Sequence, residues 1–323
     1  MKYLIIGAGG TGGVVGFHMA QAGKDVTLIA RNAHLECIQQ KGLTLQTMWD
    51  ENTKTIPVKA SDMQHYKDRP DVILVCVKGY SLDGIYKFIR RIAKPQTIVI
   101  PILNIYGTGA KMQEKLPGML VTDGCIYVSA NIKEPGVILQ HGKILRIFFG
   151  VHQKEEKCQL LEQIQKDFRD SAIDGILSEQ IQRDALEKFS YVSPIGAAGL
   201  YLNATAGDFQ KEGKARELFC TMIREIVALA MAMGFPFEKD MVSVNLQILS
   251  NLPPEATTSM QRDVMAHRPS EVDGLVYEVV RMAHRYQVPV PAYEKVAQKL
   301  QGEIMCEKNS HTEGNVEIKR EEK

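Results

Sequence analysis

The sequence lacks an excess of charge of either sign, and this limits the partners that it can attract. Its 39 lysine and arginine residues almost balance 38 aspartate and glutamate residues, which leaves a formal net charge of +1. Such a chain has no overall field that favours nucleic acid or an anionic membrane. Hydrophobic residues make up 45% and charged residues 24%, which is typical of a globular protein. Any functional basic residue must therefore be recognised from its local position.

Signals of secreted, membrane and metal-binding proteins are also missing. The first apolar run, residues 3–6, is too short for a signal peptide or a membrane span. The six cysteines have no CxxC or metal-ligand spacing, so we expect free thiols in a reducing cytoplasm. The sequence contains neither HExxH nor GxSxG, and it has no internal repeat. We expect a cytoplasmic protein without a metal site.

The chain does begin with a recognisable strand, helix and strand. Residues 3–6 form a continuous apolar run, and glycines and then the helical pattern VVGFHMAQAG follow, before the β-rich run DVTLIA. Together they span about 30 residues, the length of one βαβ unit. Continuous apolar runs recur at DVILVCVK, TIVIPILN and MLVTDGCIYV. Continuous rather than alternating runs predict a parallel sheet that is covered on both faces.

The pattern changes after residue 130. The stretch PGVILQHGKILRIFFG alternates around a glycine and predicts a hairpin or a sheet edge, and an amphipathic helix is expected near 154–168. After Ser178 long helical patterns replace the β-rich runs. We therefore predict an α/β N-terminal Rossmann domain with a parallel sheet over 1–178, followed by an all-α C-terminal domain over 179–305. The charged stretch 306–323 predicts a disordered tail.

The glycine-rich loop predicts a dinucleotide site. Gly7, Gly9 and Gly12 fit G-x-G-x-x-G, and Gly10 and Thr11 complete the loop. The first glycine permits a tight turn, the second lets the backbone approach a pyrophosphate, and the third allows close packing of helix on sheet. The free N–H groups and the dipole of the following helix suit a diphosphate. The position between a strand and a helix makes an ordinary glycine turn the weaker interpretation.

Arg31 indicates which dinucleotide binds. Many such sites carry an acidic residue at the end of the second strand, where it binds a ribose 2′-hydroxyl, but this chain has Ala30 and then Arg31. A guanidinium forms charge-assisted pairs with phosphate, so the pattern favours NADP(H). Lys78 and Asn104 each follow an apolar run, at the sheet edge where ligands of such folds bind. The alternatives are a solvated surface arginine and two ordinary loop residues.

Several motifs, read in order, resemble the ketopantoate reductase family, also called 2-dehydropantoate 2-reductases. They are the glycine loop, Arg31, VKGYSLDGIYKFI, PILNIYG, DALEKFSYVSPIGAAGLYLNATAGDF and SMQRDVMAHRPSEVDG. The resemblance extends over nearly the whole chain to about residue 300. It implies reduction of 2-dehydropantoate by NADPH to pantoate, in pantothenate biosynthesis. It also implies an active site in the cleft between a Rossmann domain and a helical domain.

The resemblance assigns four residues to that reaction. Lys188 matches the family's catalytic lysine, which polarises the ketone and supplies a proton as general acid. Glu271 matches a glutamate that contacts substrate and holds the lysine. Ser259 matches a serine suited to the substrate carboxylate, and Asn104 an asparagine that orients substrate and lysine. As structural alternatives, Lys188 could be an exposed charge and Glu271 part of a helix cap.

The chain departs from the family where substrate would bind. The family has asparagines at the fourth and eighth positions after the catalytic lysine, whereas this chain has Val192 and Gly196. Ala206 and Ala256 also stand where the family often has polar residues. Missing amide groups weaken recognition of a polar substrate.

Three hypotheses therefore stay open. The first is an NADPH-dependent 2-dehydropantoate 2-reductase, and the second is a reductase of the same family that acts on another 2-oxo acid or ketone. The third is an NADPH-binding sensor with little turnover. The expected partners are a small 2-oxo acid and neither nucleic acid nor membrane. The Met-rich helix CTMIREIVALAMAMG is more typical of a core helix, with a homodimer contact as the alternative.

Overall fold

The computed structural model describes residues 1–302 except 154, 155 and 157, so the predicted tail, 306–323, lies outside the described residues. The chain divides into two compact units, Met1–Ala185 and a second unit that begins at Leu186. The five described cysteines are free thiols. None of the helices in the described part of the chain is long and apolar enough to cross a membrane.

The first unit is built of strands and helices that alternate at its beginning. Its strands are β1 (Lys2–Ile6), β2 (Asp25–Ile29), β3 (Leu43–Thr47), β4 (Thr53–Ile56), β5 (Lys59–Ser61), β6 (Val72–Val75), β7 (Ile98–Pro101), β8 (Leu120–Val121), β9 (Asp123–Tyr127), β10 (Ala130–Glu134), β11 (Val137–Gln140), β12 (Arg146–Gly150) and β13 (Asp174–Leu177). Its helices are α1 (Gly10–Gln21), α2 (Asn32–Lys41), α3 (Asp83–Ile92), α4 (Thr108–Lys115) and α5 (Gln159–Asp170).

The main sheet has six strands in the order β5-β2-β1-β6-β7-β8, and every neighbouring pair is parallel. Alternate residues of a strand enter two different buried clusters. Val72 and Leu74 pack in one cluster, whereas Ile73 and Val75 pack in the other. Because strand side chains alternate between faces, both faces of this sheet are covered. The predicted parallel sheet of a Rossmann fold is confirmed.

Two smaller sheets complete the first unit, and they correct the predicted hairpin. One has the order β10-β11-β3-β4 and the other β13-β12-β9. The stretch predicted as a hairpin or a sheet edge forms β11 and β12, which are interior strands of different sheets, so that prediction was wrong. The hairpin lies one strand earlier, because β11 pairs with β10 across a turn in which Gly136 has a φ of 81°. Strand β12 instead pairs with β9 and β13, which are more distant along the chain.

Helices alone follow the last strand, and no strand occurs between Leu177 and residue 302. The helices are α6 (Ile181–Leu202), α7 (Ala206–Gln210), α8 (Lys214–Ala232), α9 (Met241–Ser250), α10 (Ser259–Met265), α11 (Glu278–Tyr286) and α12 (291–302). A π-helical turn, Asp273–Tyr277, leads directly into α11. An α/β fold followed by an all-α region is therefore confirmed.

Candidate active site

Four predicted cofactor positions lie at one edge of the main sheet. Gly7 follows β1, Arg31 follows β2, Lys78 follows β6 and Asn104 follows β7, and these strands are parallel neighbours. Strand β1 lies between β2 and β6, so the chain order reverses direction beside it. Open α/β sheets bind ligands at the carboxyl ends of their strands at this kind of switch point.

The glycines of the loop serve different purposes. Gly7 has a φ of 102°, a conformation that favours glycine. A Cβ at Gly12 would lie 2.1 Å from the carbonyl oxygen of Gly7, so α1 reaches the strand only because this side chain is absent. A Cβ at Gly9 would meet nothing within 4 Å. Protein packing therefore leaves open space at Gly9, as the close approach of a pyrophosphate requires.

The first turn of α1 fits an anion. Gly9 is the N-cap of the helix, no side chain caps the helix there, and the first turn holds no acidic residue. The first amide groups of a helix have no partner within the helix, and the helix dipole favours negative charge there. The backbone of Gly10, Thr11 and Gly12 is thus suited to hold a diphosphate.

Gly10 also has a role that its motif does not reveal. A Cβ at Gly10 would lie 2.3 Å from the carbonyl oxygen of Ala130, at the start of β10. One turn later, a Cβ at Gly13 would lie 2.7 Å from the side chain of Ile138 on β11. The hairpin formed by β10 and β11 therefore packs closely against the start of α1, and glycine at these positions permits that contact.

Arg31 is exposed and stands at the N-cap of α2 in an extended conformation. The next residue, Asn32, has a φ of 53°, which turns the chain sharply into the helix. Arg31 thus follows β2 at the same edge of the sheet as the glycine loop, and its side chain is exposed to solvent. Lys78 and Asn104 are both partly buried.

His34 is a further residue of this region that sequence reasoning missed. Its Nε2 lies 2.8 Å from the carbonyl oxygen of Ala8, inside the glycine loop. The backbone N–H of Gly136 donates to its Nδ1 at 2.9 Å. Nδ1 must therefore be the acceptor, which leaves the proton on Nε2 for Ala8. Burial lowers the pKa of His34, an effect that its bond to Ala8 partly opposes.

The sequence also contained no sign of the contact between buried Asp123 and partly buried His152. The backbone N–H of Gly109, in the first turn of α4, donates to Oδ1 of Asp123 at 2.9 Å. Oδ2 of Asp123 lies 3.4 Å from Nδ1 of His152. Burial raises the pKa of Asp123, and the nearby imidazole opposes that rise. Asp123 thus fixes the start of the helix that follows the loop of Asn104.

The second unit buries two of the predicted catalytic residues. Lys188 on α6 is 8% exposed and Glu271 is 4% exposed. Ser259 begins α10 and is partly buried. Buried charges are costly unless other groups compensate them, and neither Lys188 nor Glu271 is without a partner. Lys188 is therefore not the exposed charge that was its structural alternative.

Helix α6 is tied to the π-helical turn that follows Glu271. The Ser193 hydroxyl donates to the carbonyl oxygen of Leu275 at 2.6 Å and also bonds the Tyr293 hydroxyl at 2.6 Å. Both side chains are fully buried. π-helical turns are uncommon and frequently occur at functional sites. Within this unit, the helix that carries Lys188 and the segment next to Glu271 are thus held by one hydrogen-bonded group.

The departures from the family pattern have a structural counterpart. A Cβ at Gly196 would lie 2.8 Å from Cε of Met260, the residue after Ser259. The backbone N–H of Ala206 donates to the carbonyl oxygen of Ala256 at 2.9 Å, so these two positions are neighbours. The methyl end of Met260 therefore takes up the space beside Gly196, and the Thr258 hydroxyl oxygen lies 3.8 Å from the same Cβ position.

No group of three or more His, Cys, Asp or Glu side chains within the described residues is arranged to hold a metal ion.

Comparisons with known proteins identify the family. A family model described as ketopantoate reductase PanE/ApbA matches residues 3–154, and a model described as its C terminal matches residues 180–303. The 2-dehydropantoate 2-reductase of Pyrococcus abyssi is 29% identical over 294 residues, which cover 90% of this chain and 94% of that protein.

Solved structures share the fold. A 2-dehydropantoate 2-reductase from Geobacter metallireducens GS-15 matches with a TM-score of 0.84 at 21% identity, covering 94% of this chain and 99% of that chain. D-mandelate dehydrogenase, in a ternary structure with NADH and anilino(oxo)acetate, matches with a TM-score of 0.83 at 19% identity, covering 94% and 98%. The chain belongs to the ketopantoate reductase family, and it is an NADP-dependent oxidoreductase.

Proposed function

We propose that this chain reduces the ketone of 2-dehydropantoate to the alcohol of pantoate with NADPH. The observation that carries the proposal is the burial of Lys188 and Glu271 in one helical unit, at 8% and 4% exposure. An ammonium and a carboxylate are both expensive to bury, so a fold that keeps both needs a use for them. They are also the residues that match the family's catalytic pair.

The cofactor is proposed to bind to the predicted Rossmann domain, 1–178, which lies within the first unit. The glycine loop holds the diphosphate and Arg31 pairs with the 2′-phosphate, which gives the preference for NADPH over NADH. Lys78 and Asn104 act from neighbouring strand ends. The residues assigned to the cofactor are Gly7, Gly9, Gly10, Thr11, Gly12, Arg31, Lys78 and Asn104.

When bound, NADPH supplies a hydride to the ketone carbon. Lys188 donates a hydrogen bond to the ketone oxygen, stabilises the negative charge that develops there, and transfers a proton to it. The neutral amine then regains a proton from water. Glu271 holds the ammonium and contacts substrate, Ser259 donates to the substrate carboxylate, and Asn104 orients the ketone. These contacts come from the helical region, over 179–305, together with Asn104.

A second candidate is the reduction of a different, less polar 2-oxo acid or ketone. The specific observation in its favour is Met260, whose Cε lies 2.8 Å from a Cβ built at Gly196. Where the family offers an amide, this chain offers a thioether, and Val192 is apolar as well. A site without those hydrogen-bonding groups discriminates less strongly for a polar substrate.

The decisive experiment compares Lys188→Ala with Lys211→Ala. Lys211 is an exposed lysine of the same unit and serves as the matched control. Oxidation of NADPH is followed with 2-dehydropantoate and with a panel of other 2-oxo acids, beside an NADH control. We expect Lys188→Ala to lower kcat by about 100-fold to 10,000-fold, as loss of a general acid does, without changing the affinity for NADPH.

Each outcome separates the candidates. Rapid, NADPH-dependent reduction of 2-dehydropantoate that needs Lys188 supports the first function. Turnover of another panel member alone, with the same need for Lys188, supports the second. Unchanged kcat in Lys188→Ala removes the lysine from the mechanism. Tight NADPH binding without turnover of any substrate leaves the sensor hypothesis.

A further inference from the structure

His34 connects two backbone segments that are distant along the chain. Its Nε2 reaches the carbonyl oxygen of Ala8, 26 residues away, and its Nδ1 accepts from Gly136, 102 residues away. Ala8 lies between Gly7 and Gly9 in the glycine loop, whereas Gly136 lies in the turn between β10 and β11. One imidazole therefore holds the loop to the hairpin.

The hairpin is itself a support of the loop. The carbonyl oxygen of Ala130, at its start, would lie 2.3 Å from a Cβ at Gly10. The loop is therefore fixed on one side by direct backbone packing and on another by His34. His34 also lies in the first turn of α2, three residues after Arg31. The same short segment thus contacts the diphosphate loop and carries the group suited to the 2′-phosphate.

The two hydrogen bonds require the neutral form of the ring. Gly136 can only donate, so Nδ1 must keep its lone pair, and Nε2 carries the single ring proton. An imidazolium would place an N–H against the N–H of Gly136. Burial lowers the pKa of His34, which favours the neutral ring at neutral pH.

Apart from the partly buried thiol of Cys37 on α2, which lies beside Gly136, the surrounding ionisable groups lie on exposed positions. The hairpin carries Lys133 and Glu134, strand β5 beside α2 carries Lys59, and α2 and its N-cap carry Glu36 and Arg31; all five are exposed. The glycine loop from Gly7 to Gly12 contains no ionisable side chain. Solvent screens exposed charges, so the hydrogen bonds and the burial dominate the ionisation of His34.

We propose that His34 is a positioning residue for NADP(H), and that its neutral form fixes the carbonyl of Ala8 so that the amides of the glycine loop face the diphosphate. Protonation of the ring removes the bond to Gly136 and loosens the loop, so that cofactor affinity falls in acid. The inference rests on the proposed binding of NADP(H) at this loop. A preorganised loop loses less conformational entropy when the diphosphate binds.

The test measures the dissociation constant of NADPH by calorimetry between about pH 5 and pH 8 for the wild type and three variants. His34→Gln keeps one donor and one acceptor but cannot titrate, and His34→Ala removes both. His65→Gln is the matched control, since His65 is an exposed histidine of the same unit that pairs with the nearby Asp62. Phosphate monoesters also gain a proton near about pH 6, so variants are compared with the same ligand.

We expect wild-type affinity to fall progressively below about pH 6.5, the ordinary pKa of histidine, and His65→Gln to follow the same profile. His34→Gln should lose the part of the pH dependence that the ligand does not supply. His34→Ala should bind NADPH about tenfold more weakly at pH 8, as loss of one or two hydrogen bonds predicts. At saturating NADPH the kcat of both variants should stay near that of the wild type, while the KM for NADPH rises.

A measurement on the free protein tests the geometry without cofactor. In protein labelled with 15N-histidine, the ring of His34 should show a bare Nδ1 and a protonated Nε2 at neutral pH, and the signal is identified by its absence in His34→Gln. A proton on Nδ1 at neutral pH would overturn the inference, and so would unchanged affinity and pH profile in both variants. If the wild type itself bound no NADPH, the proposed function would fail first. If the wild type binds NADPH and the His34 variants bind it with the same affinity and pH profile, only the role of His34 is refuted.

Discussion

The glycine loop of the first unit and the contact between α6 and α10 in the second both depend on glycine, yet for different reasons. At the loop, a Cβ at Gly12 or Gly10 would collide with a backbone carbonyl, at 2.1 Å and 2.3 Å. At α6, a Cβ at Gly196 would meet the end of the Met260 side chain, at 2.8 Å. A backbone carbonyl can move only with its stretch of main chain, whereas the end of a methionine side chain can adopt another rotamer.

This difference explains which region keeps the family pattern. Backbone contacts restrict the loop to one residue type, so its motif survives at low overall identity and can be read from one sequence. Side-chain contacts in α6 and α10 can be rebuilt by paired changes, so the substrate region can diverge without loss of the fold. The chain accordingly carries the glycine motif, and the departures from the family pattern fall at residues expected to contact substrate.

The largest effect is expected from a matched pair of substitutions in the loop. Gly10→Ala should lower the free energy of unfolding by about 3 kcal/mol, because the added methyl group meets the carbonyl of Ala130 and forces a backbone shift. Gly9→Ala should change it by less than about 1 kcal/mol, because that Cβ meets nothing within 4 Å and the φ of −73° suits alanine. Urea unfolding of the free proteins measures both.

Gly9→Ala, the variant expected to keep its stability, should instead lose affinity for NADPH. Folded Gly9→Ala should bind NADPH at least about tenfold more weakly, since the methyl group occupies the space that the diphosphate needs. Normal NADPH binding by Gly9→Ala would show that the open space at Gly9 serves no ligand. Equal stability of the two variants would contradict the comparison. It would mean that a Cβ facing a backbone carbonyl, as at Gly10, costs no more than a Cβ in open space, as at Gly9.

The cofactor half of the site was predictable because its determinants are local. The run from β1 through the glycine loop and α1 to Arg31 follows from nearest-neighbour patterns, and the parallel sheet follows from continuous apolar runs. Gly10 was assigned to the loop as part of the glycine motif, but its close approach to Ala130 was not foreseeable. That contact depends on a strand 120 positions away, and strand pairing at such separations is set by tertiary packing rather than by local sequence.

The remainder of the site was hidden for the same reason. The hairpin was predicted one strand too late, because the runs of β11 and β12 alternate equally well and only their partners separate them. A lone histidine such as His34 carries no pattern, and its role arises from Gly136, 102 residues away. Lys188 and Glu271 could be named only through the resemblance, since a single lysine or glutamate on a helix is ordinarily a surface residue.

An intermediate effect is expected at Arg31. It tests the proposal that this residue pairs with the 2′-phosphate of NADPH. Arg31→Ala should weaken NADPH binding by about 10-fold to 100-fold, the range for loss of a charge-assisted hydrogen bond, and should change NADH binding much less. Arg69→Ala is the control, because Arg69 is an exposed arginine of the same unit. Binding constants for both cofactors at low and high salt measure the effect, since the pairing with phosphate is screened by salt.

Equal losses for NADPH and NADH would contradict the assignment of Arg31 to the 2′-phosphate. They would instead indicate that the residue supports the fold of the loop. If Arg31→Ala still preferred NADPH, another group at the same edge of the sheet would be responsible for the selectivity. Lys78 would be the first such residue to test.

The smallest effect is expected at Gly196 and Met260, where the comparison predicts that the fold tolerates substitutions. Gly196→Asn with Met260→Ala should keep the fold, because the truncated methionine leaves room for the amide that the family carries. Specificity should move toward 2-dehydropantoate and away from less polar 2-oxo acids by a factor of about ten, as one gained hydrogen bond allows. Ratios of kcat/KM across the substrate panel measure this shift.

Gly84→Asn serves as the control for that double variant, because Gly84 is exposed and a Cβ there meets nothing within 4 Å. Gly196→Asn alone should be less stable than the double variant, by less than about 2 kcal/mol, since only the end of a flexible side chain must move. A loss as large as that of Gly10→Ala would mean that Met260 is held as rigidly as the carbonyl of Ala130. The substrate region would then be as constrained as the glycine loop, and its divergence from the family would need another cause.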